Sequence, residues 1–183
     1  MSGDGDGEAA RAALAGRQSG YRALMADHRE AVFRFVRGYV GDESEALDIT
    51  QDCFIAAFAA LRRYDPARPF RTWIMRIAVN KCHDWRRRRA VRRFFTLARP
   101  IEEAAGIVDP GLDPEARLAS DAEVARIEAA IAALPANLKE PLLLCAVEGM
   151  TQDEAAVVLG ISRKAVETRI YRARQKLSKL LEG

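Results

Sequence analysis

Apolar positions recur along most of this chain at offsets of three and four, the spacing of one helix face, and the pattern predicts an all-α protein. The first clear helix spans residues 21–40, with Leu24, His28, Val32, Phe35 and Tyr39 in one row. His28 falls in that row as a core-edge histidine. Gly41 ends the helix, and Asp42 with Glu45 three positions on forms a variant capping box for the next. The second helix covers residues 43–63. Its buried row is Leu47, Phe54, Phe58 and Leu61, while Asp48, Gln51, Asp52 and Ile55 share the opposite side. Residues 64–69 read as a turn whose two prolines end one helix and aim the next.

The helix over residues 70–89 has two unlike faces. Phe70, Ile74, Ile77, Ala78 and Trp85 suit a core. Trp73, Arg76, Asn80, His83 and Arg87 form a second stripe that mixes an aromatic ring, guanidinium groups and an amide. Such a set can stack on a base, hold a phosphate and read a base edge. A core tryptophan bordering a solvated basic face would produce the same pattern. Residues 86–89, however, are four arginines in succession, which repel one another unless a polyanion is near. The aromatic and basic loop before this helix, with Tyr64 and Arg68 and ending at Phe70, makes a pocket for an unpaired base.

Residues 92–112 contain Pro100, Gly106, Pro110 and Gly111 with weak periodicity and read as a flexible linker. Asp113 and Pro114 can open a further helix that reaches residue 134, with Leu118, Val124, Ile127, Ile131 and Leu134 as apolar members. Pro135 ends it. Asn137 can cap the next, which is rich in Leu142, Leu143, Leu144 and Val147 and stops at Gly149. Thr151 and Glu154 then form a full capping box, Ala155, Ala156 and Leu159 pack inward, Gly160 turns the chain, and Ser162 caps a last helix. In that helix Val166, Ile170, Ala173 and Leu177 form the buried row, while Arg163, Lys164, Glu167, Thr168, Tyr171 and Arg172 project outward. Short helix, glycine turn, apolar plug and capped basic helix together define a helix-turn-helix, more demanding than an ordinary helical hairpin. The expected architecture is therefore two small helical domains joined by a flexible linker, the second ending in a helix-turn-helix. The divisions are a disordered Gly/Asp-rich tail at 1–19, a first domain at 20–92, a linker at 93–112 and a second domain at 113–183.

Charge sharpens this picture. The net charge of +3 hides a segregation: residues 62–93 hold twelve Arg or Lys against two acids, and residues 162–181 hold seven against one. Residues 101–128, between them, hold eight acids against two bases. Two basic blocks joined by an acidic connector predict two separate contacts with nucleic acid. No apolar run approaches the roughly 20 residues of a membrane span, so no membrane contact is expected. The Gly/Asp-rich start predicts a cytoplasmic protein. Cys53, Cys82 and Cys145 are odd in number and far apart, and read as reduced thiols. Cys82 and His83 are two neighbouring ligand types, short of the four a structural metal needs. Adjacent helical residues also point about 100° apart, which is poor geometry for a Cys/His hydrolase. No catalytic set and no cofactor site is expected.

Residues 45–54, Glu-Ala-Leu-Asp-Ile-Thr-Gln-Asp-Cys-Phe, resemble a DAEDLVQETF segment, and residues 73–80, Trp-Ile-Met-Arg-Ile-Ala-Val-Asn, resemble a WLFRIARN segment followed by an arginine run. With Leu134-Pro135 and residues 150–177 they are similar, in order and spacing, to the bacterial RNA polymerase sigma factors of the extracytoplasmic-function (ECF) group, over residues 20–183. The resemblance implies binding rather than catalysis. The partners it implies are core RNA polymerase (beta-prime clamp and beta flap), promoter DNA and an anti-sigma factor that clamps both domains. Asp48, Gln51, Asp52 and Ile55 would face the core. Tyr64, Arg68, Phe70, Trp73, Arg76, Asn80, His83 and Arg87 would meet the minus-ten element, with an extruded base under the loop. Arg163, Lys164, Glu167, Thr168, Tyr171 and Arg172 would meet the minus-thirty-five duplex, and the linker would thread the polymerase near the RNA exit path. Two positions depart from the family pattern: Leu47 stands where an acid is usual, and Lys164-Ala165 replaces a common Gly-Thr. A stand-alone helix-turn-helix regulator of the LuxR type is the alternative; it leaves residues 70–89 and the acidic face of the second helix without a role.

Overall fold

The computed structural model describes residues 3–96 and 115–182, with side chains described for 5–92 and 122–182. All regular structure among these residues is helical. The helices are α1 (Gly3–Leu14), α2 (Gln18–Val40), α3 (Glu43–Ala59), α4 (Phe70–Thr96), α5 (Glu115–Ala133), α6 (Ala136–Leu142), α7 (Gln152–Leu159) and α8 (Arg163–Leu181). One 3₁₀ turn, Leu61–Arg63, follows α3.

Helices α2, α3 and α4 pack around the row expected from α2: Leu24, His28, Val32, Phe35 and Tyr39 are all buried. Gly41 ends α2 in the left-handed region, and Asp42 accepts the Glu45 amide to start α3. Only half of the expected capping box forms. The Glu45 carboxylate instead accepts the Trp85 indole N–H of α4 at 2.6 Å, tying the start of α3 to the far end of the basic helix. The buried face of α3 is Ala46, Ile49, Thr50, Cys53, Phe54 and Ala57, not the row containing Leu47, which is 44% exposed. Small residues on the inner side let α3 approach α2 and α4, and the larger Leu47 is left outside.

The expected disordered tail at 1–19 is corrected: residues 3–14 form α1, which packs along α2. Gly20 permits this approach, since a Cβ there would lie 2.4 Å from backbone atoms of Ala9 and Ala13. The basic helix continues to Thr96, beyond the expected linker start at 93; the rest of that linker lies outside the described residues.

In the second domain α6 begins after Pro135, with no side-chain cap, so Asn137 does not play the role expected of it. Pro141 withholds one ladder hydrogen bond inside α6 and the next turn, Leu143–Val147, widens to a π-turn. Leu142, Leu143 and Leu144 are buried, but Val124, Ile127 and Val147 are exposed. The Thr151 capping box, the left-handed Gly160 and the Ser162 cap all form as expected.

The two domains are docked. Arg34 grips the Glu148 carboxylate through Nε and Nη2 at 3.2 and 3.1 Å, and Arg71 approaches the same carboxylate at 3.5 Å while donating to the Glu148 carbonyl. Arg37 pairs with Glu128 at 3.1 Å and His83 with Glu140 at 2.6 Å. Lys139 reaches across to donate to the Tyr39 carbonyl at 2.8 Å and lies over the Tyr39 ring. Gly38 lets Leu143 approach so closely that a Cβ there would fall 2.7 Å from its methyl.

Candidate nucleic-acid interface

The loop between the 3₁₀ turn and α4 is held by its own polar groups. Tyr64 OH donates to the Arg68 carbonyl at 2.7 Å, and Asp65 Oδ1 accepts the Ala67 amide at 3.0 Å. Proline at 66 and 69 fixes the backbone between these bonds. The result is a cleft of about 320 Å³ lined by Arg63, Tyr64, Asp65, Arg68, Pro69, Thr72, Trp73, Arg76 and Val157. Its size lies in the range of small-molecule pockets. Trp73 forms one wall, half-buried, with its ring 5.4 Å from Tyr64 and 5.3 Å from Phe70. Arg76 and Asn80 are exposed further along the same face. Wall, cation and amide are thus in the order that stacking, phosphate contact and base-edge contact need.

Two of the expected contact residues stand differently. Phe70 is fully buried beneath the cleft, packed at 5.3 Å on Tyr64, so it supports the wall and is not part of its surface. Its place at the first turn of α4, under the loop, follows from the apolar row with Ile74 and Ala78. His83 is engaged by Glu140 of the second domain. Arg87 pairs with Asp84, Arg68 with Asp65 at 3.5 Å, and Arg89 lies 5.1 Å over the Trp85 ring; the arginine run itself is exposed. Val157, which lines the cleft from α7, is 54% exposed, and its position against Trp73 has no local sequence signal because it depends on domain docking.

A second surface lies between α2 and α3. Met25, Arg29, Leu47, Asp48, Thr50, Gln51, Phe54, Ile55 and Phe58 line a groove of about 570 Å³. Asp48, Gln51, Asp52 and Ile55 also border an adjoining cleft with Trp85 and Arg88. All four expected residues of this face are therefore together. Ile55 is 58% exposed and Asp52 lies 3.9 Å from Lys81. An apolar floor rimmed by acids suits docking of a partner protein.

The third surface is α8. Arg163, Lys164, Glu167, Tyr171 and Arg172 are exposed and Thr168 is half-buried. Lys164 pairs with Glu167 at 2.9 Å, and this hydrogen bond holds the Glu167 carboxyl below its usual range. Thr168 donates to the Lys164 carbonyl at 2.9 Å, and Gln175 donates to Tyr171 OH at 2.9 Å. Arg163 reaches back to Asp153 of α7 at 3.4 Å, bracing the two helices of the helix-turn-helix. Cys53 and Cys82 are buried in the first domain, and burial pushes both thiols up, Cys53 to about 12. That environment makes Cys82 a packing residue rather than a nucleophile.

A half-buried tryptophan cleft on a basic helix, joined to a helix-turn-helix with a basic outer face, defines a DNA-binding protein of transcription. Residues 24–92 match the family model for sigma-70 region 2, and residues 125–177 match that for sigma-70 region 4. The chain is 41% identical to the RNA polymerase sigma factor CnrH of Cupriavidus metallidurans, over 98% of this chain and 96% of that protein. It is also 41% identical to the RNA polymerase sigma factor NccH of Alcaligenes xylosoxydans xylosoxydans, over 95% and 93% of the two chains. The solved structure of CnrH in complex with the cytosolic domain of CnrY superposes with a TM-score of 0.73 at 37% identity, covering 98% of both chains. The chain belongs to the sigma-70 family of RNA polymerase sigma factors, in its extracytoplasmic-function group. Its function is transcription initiation with core RNA polymerase at promoter DNA.

Proposed function

We propose that the three surfaces divide the work of initiation. Asp48, Gln51, Asp52 and Ile55 dock on the beta-prime clamp of the core. The loop 64–69 with Tyr64 and Arg68, together with Trp73, Arg76 and Asn80, receives the minus-ten strand and holds one unstacked base. Arg163, Lys164, Glu167, Thr168, Tyr171 and Arg172 meet the minus-thirty-five duplex, the second domain sitting near the beta flap. Residues 20–92 and 113–183 are the corresponding functional domains, with 93–112 passing between them. His83 turns to phosphate only after the second domain leaves, because Glu140 holds it in the docked form, whereas Arg87 is exposed beside Asp84 and is available throughout.

The observation that carries this reading is the cleft beneath the loop, with Trp73 as one wall and Arg76 beside it. Unstacking a base costs about a few kcal/mol, and stacking on an aromatic side chain returns about 1–3 kcal/mol. Stacking and groove electrostatics offset that cost, so the protein acts by binding, without catalytic groups, in the cytoplasm. Among the described residues no helix is long and apolar enough to cross a membrane. Control by an anti-sigma factor is part of the proposal. CnrH, the relative solved with the cytosolic domain of CnrY, supports it, as does the exposed apolar floor at Met25, Leu47 and Ile55.

The test is transcription in vitro from a promoter library, with core polymerase alone and with this protein added. Initiation at a shared two-element motif, only with both present, is expected. Trp73→Ala and Asn80→Ala should impair opening more than core binding, and Asp48→Lys should do the reverse. Equal effects of all three on core binding would mean the faces are misassigned.

A further inference from the structure

The first half of helix α1 contacts the part of the molecule that forms the cleft. Asp6 and His28 lie in this contact, 3% and 5% exposed, and His28 Nε2 donates to Asp6 Oδ1 at 2.9 Å. A buried carboxylate and imidazole are seldom worth more to stability than two apolar residues of the same volume; what such a pair supplies is a fixed relative position. The position is passed on. The His28 ring packs at 5.1 Å on Phe70, and Phe70 packs on both Tyr64 and Trp73, the two aromatic walls. The same helix meets the loop from the side, since a Cβ at Gly7 would lie 3.7 Å from Pro66 Cβ and 3.9 Å from its carbonyl oxygen. The Tyr64 phenol is pushed up mainly by burial and secondly by the negative charge of Asp6, which places that carboxylate within electrostatic reach of the loop.

We propose that α1 is part of the base-holding machinery, with Asp6 and His28 as positioning residues that set the loop 64–69 and the Trp73 wall at the separation an unstacked base requires. This rests on reading the cleft as the base pocket. Without α1, Pro66 loses a neighbour and His28 loses the carboxylate that fixes its ring against Phe70, and the walls of the cleft relax.

The experiment uses holoenzyme assembled from core polymerase and the full chain. The probe is fork-junction promoter DNA carrying 2-aminopurine at the unpaired minus-ten positions, and core affinity is measured in parallel by competition. Asp6→Ala should lower base capture about five- to tenfold, since only part of the effect of one charge-assisted hydrogen bond reaches the cleft, with core affinity unchanged. Asp6→Asn, which keeps an acceptor oxygen, should restore most of it. Gly7→Ile, whose branches fall on Pro66, should lower capture similarly, while Gly5→Ile, which points into open space, should not. If Asp6→Ala fails to fold, the contrast between Gly7→Ile and Gly5→Ile carries the test. Capture at wild-type level in Asp6→Ala and Gly7→Ile, with Trp73→Ala defective, overturns the role of α1 and leaves the pocket standing. An equal loss of capture and core affinity in Asp6→Ala reduces the pair to a folding element and also overturns it. Wild-type capture by Trp73→Ala removes the pocket itself, and this inference with it.

Discussion

Replacing Glu148 with Gln should separate the two domains. The Glu148 carboxylate has no solvent exposure and is shared by Arg34 and Arg71, whose side chains are 44% and 38% exposed. Hydrogen bonds to charged groups contribute about 1.5–3 kcal/mol each when desolvated. Here the arginines can turn to water, so the loss is discounted to about 1–2 kcal/mol in total. The amide also leaves two guanidinium groups facing each other with no charge between them, which favours separation. At roughly 2–4 °C per kcal/mol for a chain of this size, the unfolding midpoint falls by about 2–8 °C. More tellingly, one cooperative transition should split into two as the domains unfold apart. Small-angle X-ray scattering of the variant should show a larger radius of gyration. A double-mutant cycle with Arg34→Met should return a coupling of about 1 kcal/mol. A single transition at the wild-type midpoint with unchanged scattering would refute the argument, because the pair would then contribute no more than its solvated counterparts.

The other tests are independent of that pair. Lys139 is held below its ordinary value, at about 8, by burial. The unfolded chain therefore binds more protons between pH 8 and 10.5, and the penalty, fully present below pH 8, is relieved as pH rises through that window. The stability of wild type relative to Lys139→Met, from denaturant titrations, should rise by about 2–3 kcal/mol across it; a flat difference would exclude the buried charge as its source. Arg172→Ala should weaken binding to minus-thirty-five duplex by about 1–3 kcal/mol if the guanidinium meets a base bidentately, and unchanged affinity in a filter assay would remove it from the site. In native protein Cys145, half-buried, should react with a thiol reagent well before the fully buried Cys53 and Cys82, so label found first on Cys82 would contradict the packing.

Much of this could be read from the chain. The α2 row, the Thr151 box, Gly160 and the Ser162 cap are local patterns, and each forms as its spacing predicts. Local patterns also mislead where packing decides. Residues 1–19 read as a tail because glycine and aspartate are poor helix formers, yet Ala10 and Ala13 are buried against α2 once Gly20 lets the helices touch. Leu47 fits an i, i+7 row with Phe54, but Ala46, Ile49, Cys53 and Ala57 make a closer-packing face, and Leu47 is left in solvent. The cleft was legible in kind, from Tyr64, Trp73 and Arg76. Its support is legible only in part: spacing puts Phe70 on the core face while the resemblance makes it a DNA contact, and the Asp6–His28 pair joins residues 22 positions apart. Domain docking had no sequence signal at all: Arg34 and Glu148 are 114 positions apart, and nothing in either neighbourhood names the other.

The docked domains also change how the molecule presents itself to polyanions. Arg34, Arg37 and Arg71, with His83, are matched to Glu128, Glu140 and Glu148 across the interface. Those bases are then poor at displacing counterions from a nucleic acid, and the log–log slope of DNA binding against salt should be shallower than for the separated domains, the exposed arginine run contributing to both. When the domains part, the same bases become available on one body and the acids depart on the other. A sigma factor held closed would thus hold bulk chromosomal DNA less tightly, and would gain affinity for phosphate where its two halves are being drawn to separate sites.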